Sequence, residues 1–352
     1  MRPREQASAI GANHDLHSAD DVWPAAAWSE YVRRGITGWT VPAAFGGAEA
    51  SSPEILDGCM ELARRDLLPV FVLTQFQAAC QRIAGSVQSA PRDRWLARLA
   101  GGEVFGTVGI SHLTTSRQHT GRPAVLAERV AGGYRLTGEI PWVTGAGRSQ
   151  VLVIGGGLES GEQFLCAVPS DRDGLRIETP LHLVALTGSE TGPISLANTF
   201  VADDELLSPV IPRILQQGQP GGAGSLMTSG LAAGHAQGCV DAIEAESRQR
   251  PNLAEIVGSF RRELDELQET LLRVADGRGT PDETAETLRT RATTLALQAS
   301  QALLTASKGA GFVSGHPAER RAREALFFLV WSCPQAVSQR LMRDFSQCDA
   351  PL

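Results

Sequence analysis

The chain reads as a multidomain α+β protein. It divides into an N-terminal helical domain at residues 1–102, a central antiparallel β-barrel domain at 103–205 and a C-terminal four-helix bundle at 206–352. Two changes of period carry that reading. Apolar residues recur at helical spacing up to about Gly101, fall into short strand-forming runs from Glu103, and return to helical spacing from Ser225. A third observation is size: 352 residues at 42% hydrophobic content suffice for a large core or two to three packed units.

In the first segment, Ala25-Ala-Ala-Trp-Ser-Glu-Tyr-Val opens one helix, and Pro53 to Arg65 carries apolar residues at helical spacing. Between them Trp39-Thr-Val-Pro-Ala-Ala-Phe-Gly-Gly is extended and closes on a glycine turn. Helices around 68–87 and 91–100 complete it. Strands are predicted at Val104–Ser111, Ala124–Val130, Tyr134–Thr137, Val151–Ile154, Phe164–Val168, Leu175–Glu178 and Gly192–Val201. Ala131-Gly-Gly-Tyr is a hairpin signal. No helical pattern separates these strands, so antiparallel pairing is expected. A Gly- and Gln-rich connector at 212–224 leads into helices predicted at 225–248, 252–276, 281–307 and 318–345, with Asp282 capping the third. There is no internal repeat.

Composition excludes several classes. Thirty-two Lys and Arg against 39 Asp and Glu leave a net charge of -7, with no basic face for nucleic acid. No apolar run approaches the roughly 18–20 residues of a membrane span. Met1-Arg-Pro-Arg-Glu-Gln has no apolar region behind it and does not read as a signal peptide. Cysteines at 59, 80, 166, 239, 333 and 348 form no CxxC and have no His at ligand spacing, so reduced thiols and no metal are expected. The expected compartment is the cytoplasm.

The candidate motifs each have a plain alternative. Ile154-Gly-Gly-Gly-Leu-Glu-Ser-Gly precedes a strand, not a helix, and reads as a hairpin turn rather than a dinucleotide loop. Of seven scattered histidines only His112 falls beside other candidates. Trp142 and Thr144 stand two apart in an extended segment, which would put a flat apolar plate and a hydroxyl donor on one face. Taken alone, that pair reads more readily as a core Trp beside a strand Thr. Lys308-Gly-Ala-Gly-Phe followed by an Arg-rich helix start fits either close backbone approach to a ligand or a helix cap before a solvated helix.

In combination the segments resemble the acyl-CoA dehydrogenase family over nearly the whole chain. Val41-Pro-Ala-Ala-Phe-Gly-Gly is similar to the family's VPxxxGG, and Leu136-Thr-Gly-Glu-Ile-Pro-Trp-Val-Thr-Gly-Ala to its (N)GxKxWxTxA. Ser189-Glu-Thr resembles SxT before a strand, and Arg250-Pro-Asn-Leu stands where the family has RxxFG. Lys308-Gly-Ala-Gly-Phe with Pro317-Ala-Glu-Arg-Arg-Ala-Arg-Glu-Ala resembles GGxGF…PxER…RDA. The resemblance implies FAD between the central and C-terminal domains. It places Ile110 and Ser111 along the isoalloxazine edge, Trp142 on the ring, Thr144 at N5, and Gly309 near the adenosine end. Arg250 would hold the pyrophosphate across a subunit interface, as a guanidinium fork suits phosphate oxygens, so a homodimer or homotetramer is implied.

One departure bears on chemistry. The family's catalytic Glu falls on Ser332, and the alternative position near Gly224 and Ser225 supplies no carboxylate either. Taking an α-proton from a thioester needs a base at that carbon. Three functions remain. The first is an FAD-dependent oxidoreductase acting on the CH–CH group of an acyl thioester, on CoA or an acyl carrier protein, with a non-standard base such as His112. The second is a two-component flavin monooxygenase using Ser111 and His112. The third is a non-catalytic FAD-binding homologue paired with an active subunit.

Overall fold

A computed structural model describes residues 1–10, 20–113, 123–216 and 226–346. Five helices come first: α1 (Pro3–Ser8), α2 (Ala25–Arg33), α3 (Ser52–Arg65), α4 (Leu67–Ala84) and α5 (Ser89–Ala100). Ser51 and Glu54 cap α3 reciprocally, the Ser51 amide donating to Glu54 Oε2 at 2.9 Å. Asp66 starts α4 directly behind it, accepting from the Leu68 amide at 3.2 Å.

The sheet follows: β1 (Gly106–Gly109), β2 (Val125–Val130), β3 (Gly133–Val143), β4 (Val151–Gly157), β5 (Glu162–Pro169), β6 (Leu175–Ile177), β7 (Gly192–Ala202) and the short β8 (Ile211–Pro212). Its order is β6-β7-β3-β2-β4-β5-β8, with β1 also on β4. The glycine run ends β4 and turns back into β5 as an antiparallel hairpin, Gly157 opposite Gln163. The antiparallel expectation holds for most pairs but not all. β1 runs parallel to β4 from Gly106↔Val151 to Gly109↔Ile154, and β2 meets β4 in one parallel pair. The reason is connectivity: the β2–β3 hairpin lies between β1 and β4, which gives the long crossover a parallel pair needs. The sheet is open, with β6 and β8 at its ends, so "barrel" describes it only loosely.

The last segment holds α6 (Leu226–Ser247), α7 (Ala254–Ala275), α8 (Ala285–Ala306), α9 (Pro317–Phe327) and α10 (Gln335–Ser346). Three long helices agree with the four-helix expectation, but the predicted fourth at 318–345 is two. Ser332 adopts φ 43 and Pro334 follows, which ends α9 and restarts the chain as α10. Thr284, not Asp282, caps α8, its hydroxyl accepting from the Thr287 amide at 3.1 Å.

Helices from both ends of the chain share one core. α3 and α6 pack backbone to backbone: a Cβ on Gly234 would lie 2.3 Å from the Met60 carbonyl oxygen, and one on Gly238 2.1 Å from that of Arg64. Val151 and Val153 of β4 join this cluster, while Leu152 and Ile154 join a second one on the sheet's other face. That period of two explains why Val151-Leu-Val-Ile is apolar throughout. No helix among the described residues is long and apolar enough to cross a membrane.

Candidate active site

The site begins where β3 ends. Trp142 is 52% exposed, whereas Thr144 is buried in the turn just past the strand. Alternation along a strand therefore does not relate the two side chains, because the β3–β7 register shifts between Ile140 and Val143. Thr144 Oγ1 lies 2.9 Å from Thr191 Oγ1, which lies 2.8 Å from Ser189 Oγ. All three hydroxyls are buried.

The turn Thr187–Ser189 that presents them is held between two left-handed residues, Leu186 at φ 61 and Glu190 at φ 48. Each such residue costs about 1–3 kcal/mol and persists only where the surroundings over-determine it. Here they do. Asp20 accepts from the Leu186 amide at 2.9 Å through its carboxylate and from the Gly188 amide at 2.7 Å through its carbonyl. Arg148 binds Glu190 bidentately at 2.9 and 2.6 Å, and the Gly145 amide donates to the Ser189 carbonyl at 3.0 Å.

The end of β1 lies against the end of β3. A Cβ on Gly109 would meet Val143 Cγ2 at 2.9 Å, so Ile110, Ser111 and His112 arrive beside Trp142–Thr144. Ile110 is half-buried against the main core. His112 is buried, with Nε2 3.0 Å from the Gly155 carbonyl oxygen. A carbonyl only accepts, so the neutral ring carries its proton on Nε2 and leaves a lone pair on Nδ1. Nδ1 is buried and has no hydrogen-bond partner among the described residues. Burial pushes the His112 pKa down to about 4, against the opposing bond to Gly155, so the ring is uncharged at neutral pH.

Ser332 is exposed in the turn between α9 and α10. Its neighbour Trp331 stacks on Phe327 with centroids 5.0 Å apart and meets Phe71 of α4 edge-on at 5.0 Å. Arg289 of α8, fully buried, donates from Nη2 to the Phe328 and Trp331 carbonyls, both at 2.8 Å. Burial lowers its pKa to about 10, which still leaves it charged at neutral pH. Arg323 of α9 bonds the Val184 carbonyl at 2.7 Å and pairs with Asp20, which ties α9 to the chain entering the Thr187–Ser189 turn. Three carboxylates here are engaged: Asp20 with Arg323, Glu190 with Arg148, Glu324 with Arg320.

The Arg-rich helix start is neither solvated nor open to a ligand. Arg320 bridges Asp66 and Glu324, each at 2.7 Å, and Arg321 donates to the Arg64 and Arg65 carbonyls at 3.0 and 3.2 Å.

Arg250 and Gly309 come together elsewhere. Arg250 donates to the Ala306 carbonyl at 2.7 Å and pairs with Glu246 at 2.6 Å, and the space around Gly309 is open. Ala306 ends α8, about 26 Å along the helix from Arg289 at 1.5 Å per residue. Within one chain the fold thus gathers 110–112, 142–144 and 189–191, links them through Arg323 to the Ser332 turn, and leaves Arg250 and Gly309 apart. Gly224 and Ser225 lie outside the described residues. The bond from Thr191 to Thr144 spans 47 positions, and no local pattern marks it.

Residues 5–103 match the model of the acyl-CoA dehydrogenase N-terminal domain. A probable acyl-CoA dehydrogenase of Bacillus subtilis, YngJ, is 24% identical over 250 residues, 65% of each chain. Residues 5–103 thus resemble that family's N-terminal domain, and the chain is similar to the acyl-CoA dehydrogenases. The match spans just under two thirds of that curated relative's length. Solved acyl-CoA dehydrogenase folds align over nearly all of the chain. A glutaryl-CoA dehydrogenase from Mycobacterium smegmatis, in complex with FADH2, superposes with TM-score 0.81 at 16% identity, covering 99% of this chain and 94% of its own. A dibenzothiophene monooxygenase from Paenibacillus sp. A11-2 superposes with TM-score 0.78 at 17% identity, covering 99% and 97%. At such identities these two establish the fold alone.

Proposed function

We propose that this chain is an FAD-dependent oxidoreductase that oxidises the Cα–Cβ bond of an acyl thioester, carried on CoA or an acyl carrier protein. The observation that carries the reading is the half-exposed indole of Trp142 two residues before the buried Thr144 hydroxyl. A flat heteroaromatic ring needs an apolar plate and a donor at its edge, and this donor set fits FAD. Bound FAD supplies the two-electron acceptor that the side chains lack. In this reading Trp142 packs on the ring, Thr144 donates to its edge, and Ile110 and Ser111 lie along it. Arg250 and Gly309 of a second copy take the pyrophosphate and adenosine end, so the working form is a homodimer or homotetramer. Phe312 and Val313 beside Gly309, 83% and 61% exposed, support a second copy.

His112 is the base of this reading, accepting the α-proton at Nδ1. Burial keeps the ring uncharged at neutral pH, so its Nδ1 lone pair is available to take a proton. The test is anaerobic titration of FAD-loaded protein with short and long acyl-CoA and acyl carrier protein thioesters. Bleaching of the flavin is expected in wild type and is lost in His112→Gln with flavin retained. Absence of bleaching with every thioester would reject the reading.

A two-component flavin monooxygenase is favoured by a different observation: an exposed serine stands at 332, and Asp20, Glu190 and Glu324 are ion-paired. That reading requires bleaching only with a flavin reductase, followed by substrate-dependent oxygen uptake.

A further inference from the structure

We infer that Ser189 and Thr191 are positioning residues that aim the Thr144 proton outward, toward the ring edge of the bound flavin. The inference rests on the flavin reading above and deepens it. Its basis is a count of protons. Ser189, Thr191 and Thr144 form an unbranched chain of hydroxyls with contacts of 2.8 and 2.9 Å. Each hydroxyl has one proton to donate, and the two contacts consume two of the three. One proton is left, at one end of the chain or the other.

The surroundings decide which end. Ser189 is 0% exposed, and its hydroxyl has no partner except Thr191 among the described residues. A surplus proton there would be a buried donor with nothing to bond, the arrangement folded proteins avoid most consistently. Thr144 is 5% exposed and lies two residues from the half-exposed Trp142, at the mouth of the proposed ring site. The chain therefore runs from Ser189 to Thr191 to Thr144, and the free proton points to the ligand. Thr191 occupies one of the two lone pairs of Thr144, so the Thr144 proton is the one the chain leaves free for an acceptor on the ligand.

The backbone around the chain is built to keep it so. Ser189 and Thr191 flank Glu190, whose left-handed conformation is clamped by Arg148, and Leu186 and Gly188 are held by Asp20. These bonds fix the two hydroxyls relative to Gly145, whose amide bonds the Ser189 carbonyl. The rigid turn thus sets the side-chain direction of a residue on another segment, 47 positions away.

The experiment measures FAD affinity and the visible spectrum of bound FAD, so turnover is not required. Variants are Thr144→Val, Thr191→Val, Thr191→Ser, Ser189→Ala and the double Thr144→Val/Thr191→Val. Thr144→Val and Thr191→Val should each weaken FAD binding about threefold to tenfold, the range for one directed hydrogen bond, and shift the flavin bands alike. Thr191→Ser should behave as wild type because it restores the hydroxyl. The double variant should bind no worse than Thr144→Val alone. If Thr191→Val perturbs folding, Ser189→Ala, which removes one atom from the far end, should give the smaller change in the same direction. Wild-type affinity and spectrum in both Thr191→Val and Ser189→Ala would overturn the inference, as would a Thr191→Ser variant as weak as Thr191→Val. A wild-type protein showing no flavin absorbance at saturating FAD would instead overturn the function reading on which it rests.

Discussion

Trp142→Ala tests whether the exposed indole is a binding surface. A buried Trp covers up to about 250 Å², so an indole that is 52% exposed leaves roughly 130 Å² in water. A planar ligand covers one face, about half of that area. At roughly 25 cal/mol per Å² the burial contributes about 1.5 kcal/mol, and ring–ring contact adds about 1 kcal/mol. Removal of the indole should therefore weaken FAD binding by about 2–3 kcal/mol, a factor of about 30–150. The assay is titration of ligand-free protein with FAD, read by flavin absorbance and by quenching of its fluorescence. Trp142→Phe should recover most of the affinity. Thermal unfolding of the ligand-free Ala variant should stay close to wild type, since half of the side chain packs on nothing. An affinity within twofold of wild type would refute the argument, and so would a large loss of stability without ligand.

Other expectations concern stability and the missing carboxylate. Asp66 faces Arg320, Arg321 and Glu324 from α9 and Tyr31 from α2, and burial raises its pKa to about 7 despite Arg320. The folded value lies above the unfolded one of about 3.9, so its stabilisation is complete below pH 4 and is lost as pH rises to 7. In urea titrations at several pH values, stability should fall between pH 4 and 7, and Asp66→Asn should flatten this slope while still capping α4. Gly234→Ala should destabilise by about 1–2 kcal/mol, because overpacking against the Met60 carbonyl outweighs the gain in helix propensity; unchanged or raised stability would contradict the close α3–α6 approach. Ser332→Ala should leave activity nearly unchanged, since an unactivated hydroxyl is a poor base. Ser332→Glu should accelerate anaerobic bleaching by an acyl thioester if the channel survives, and a large loss in Ser332→Ala would make the serine itself a participant.

What could be read from the sequence was whatever a short window contains. β3, β4 and β5 stood out because side-chain alternation and glycine turns act within a few residues, as in Ile154-Gly-Gly-Gly running into Phe164-Leu-Cys-Ala-Val. The break at Ser332 had a local signal too, since Pro334 disfavours helix at the residue before it, but the apolar spacing on either side outweighed it. The glycines at 230, 234 and 238, four apart on α6, are a local signal of close backbone packing.

The parallel β1–β4 pair and the hydroxyl chain are different in kind. Each joins segments about 45 positions apart, and nothing near Thr144 distinguishes a hydroxyl with a fixed direction from one free to turn. The charged start of α9 shows why composition misleads here. Arg320 is compatible with solvent until Asp66, 254 positions away, and the buried Glu324 close around it. A side chain's type limits the chemistry it can do, but its partner decides which chemistry it does. For Thr144 that partner is Thr191, and the direction of a single proton follows from it.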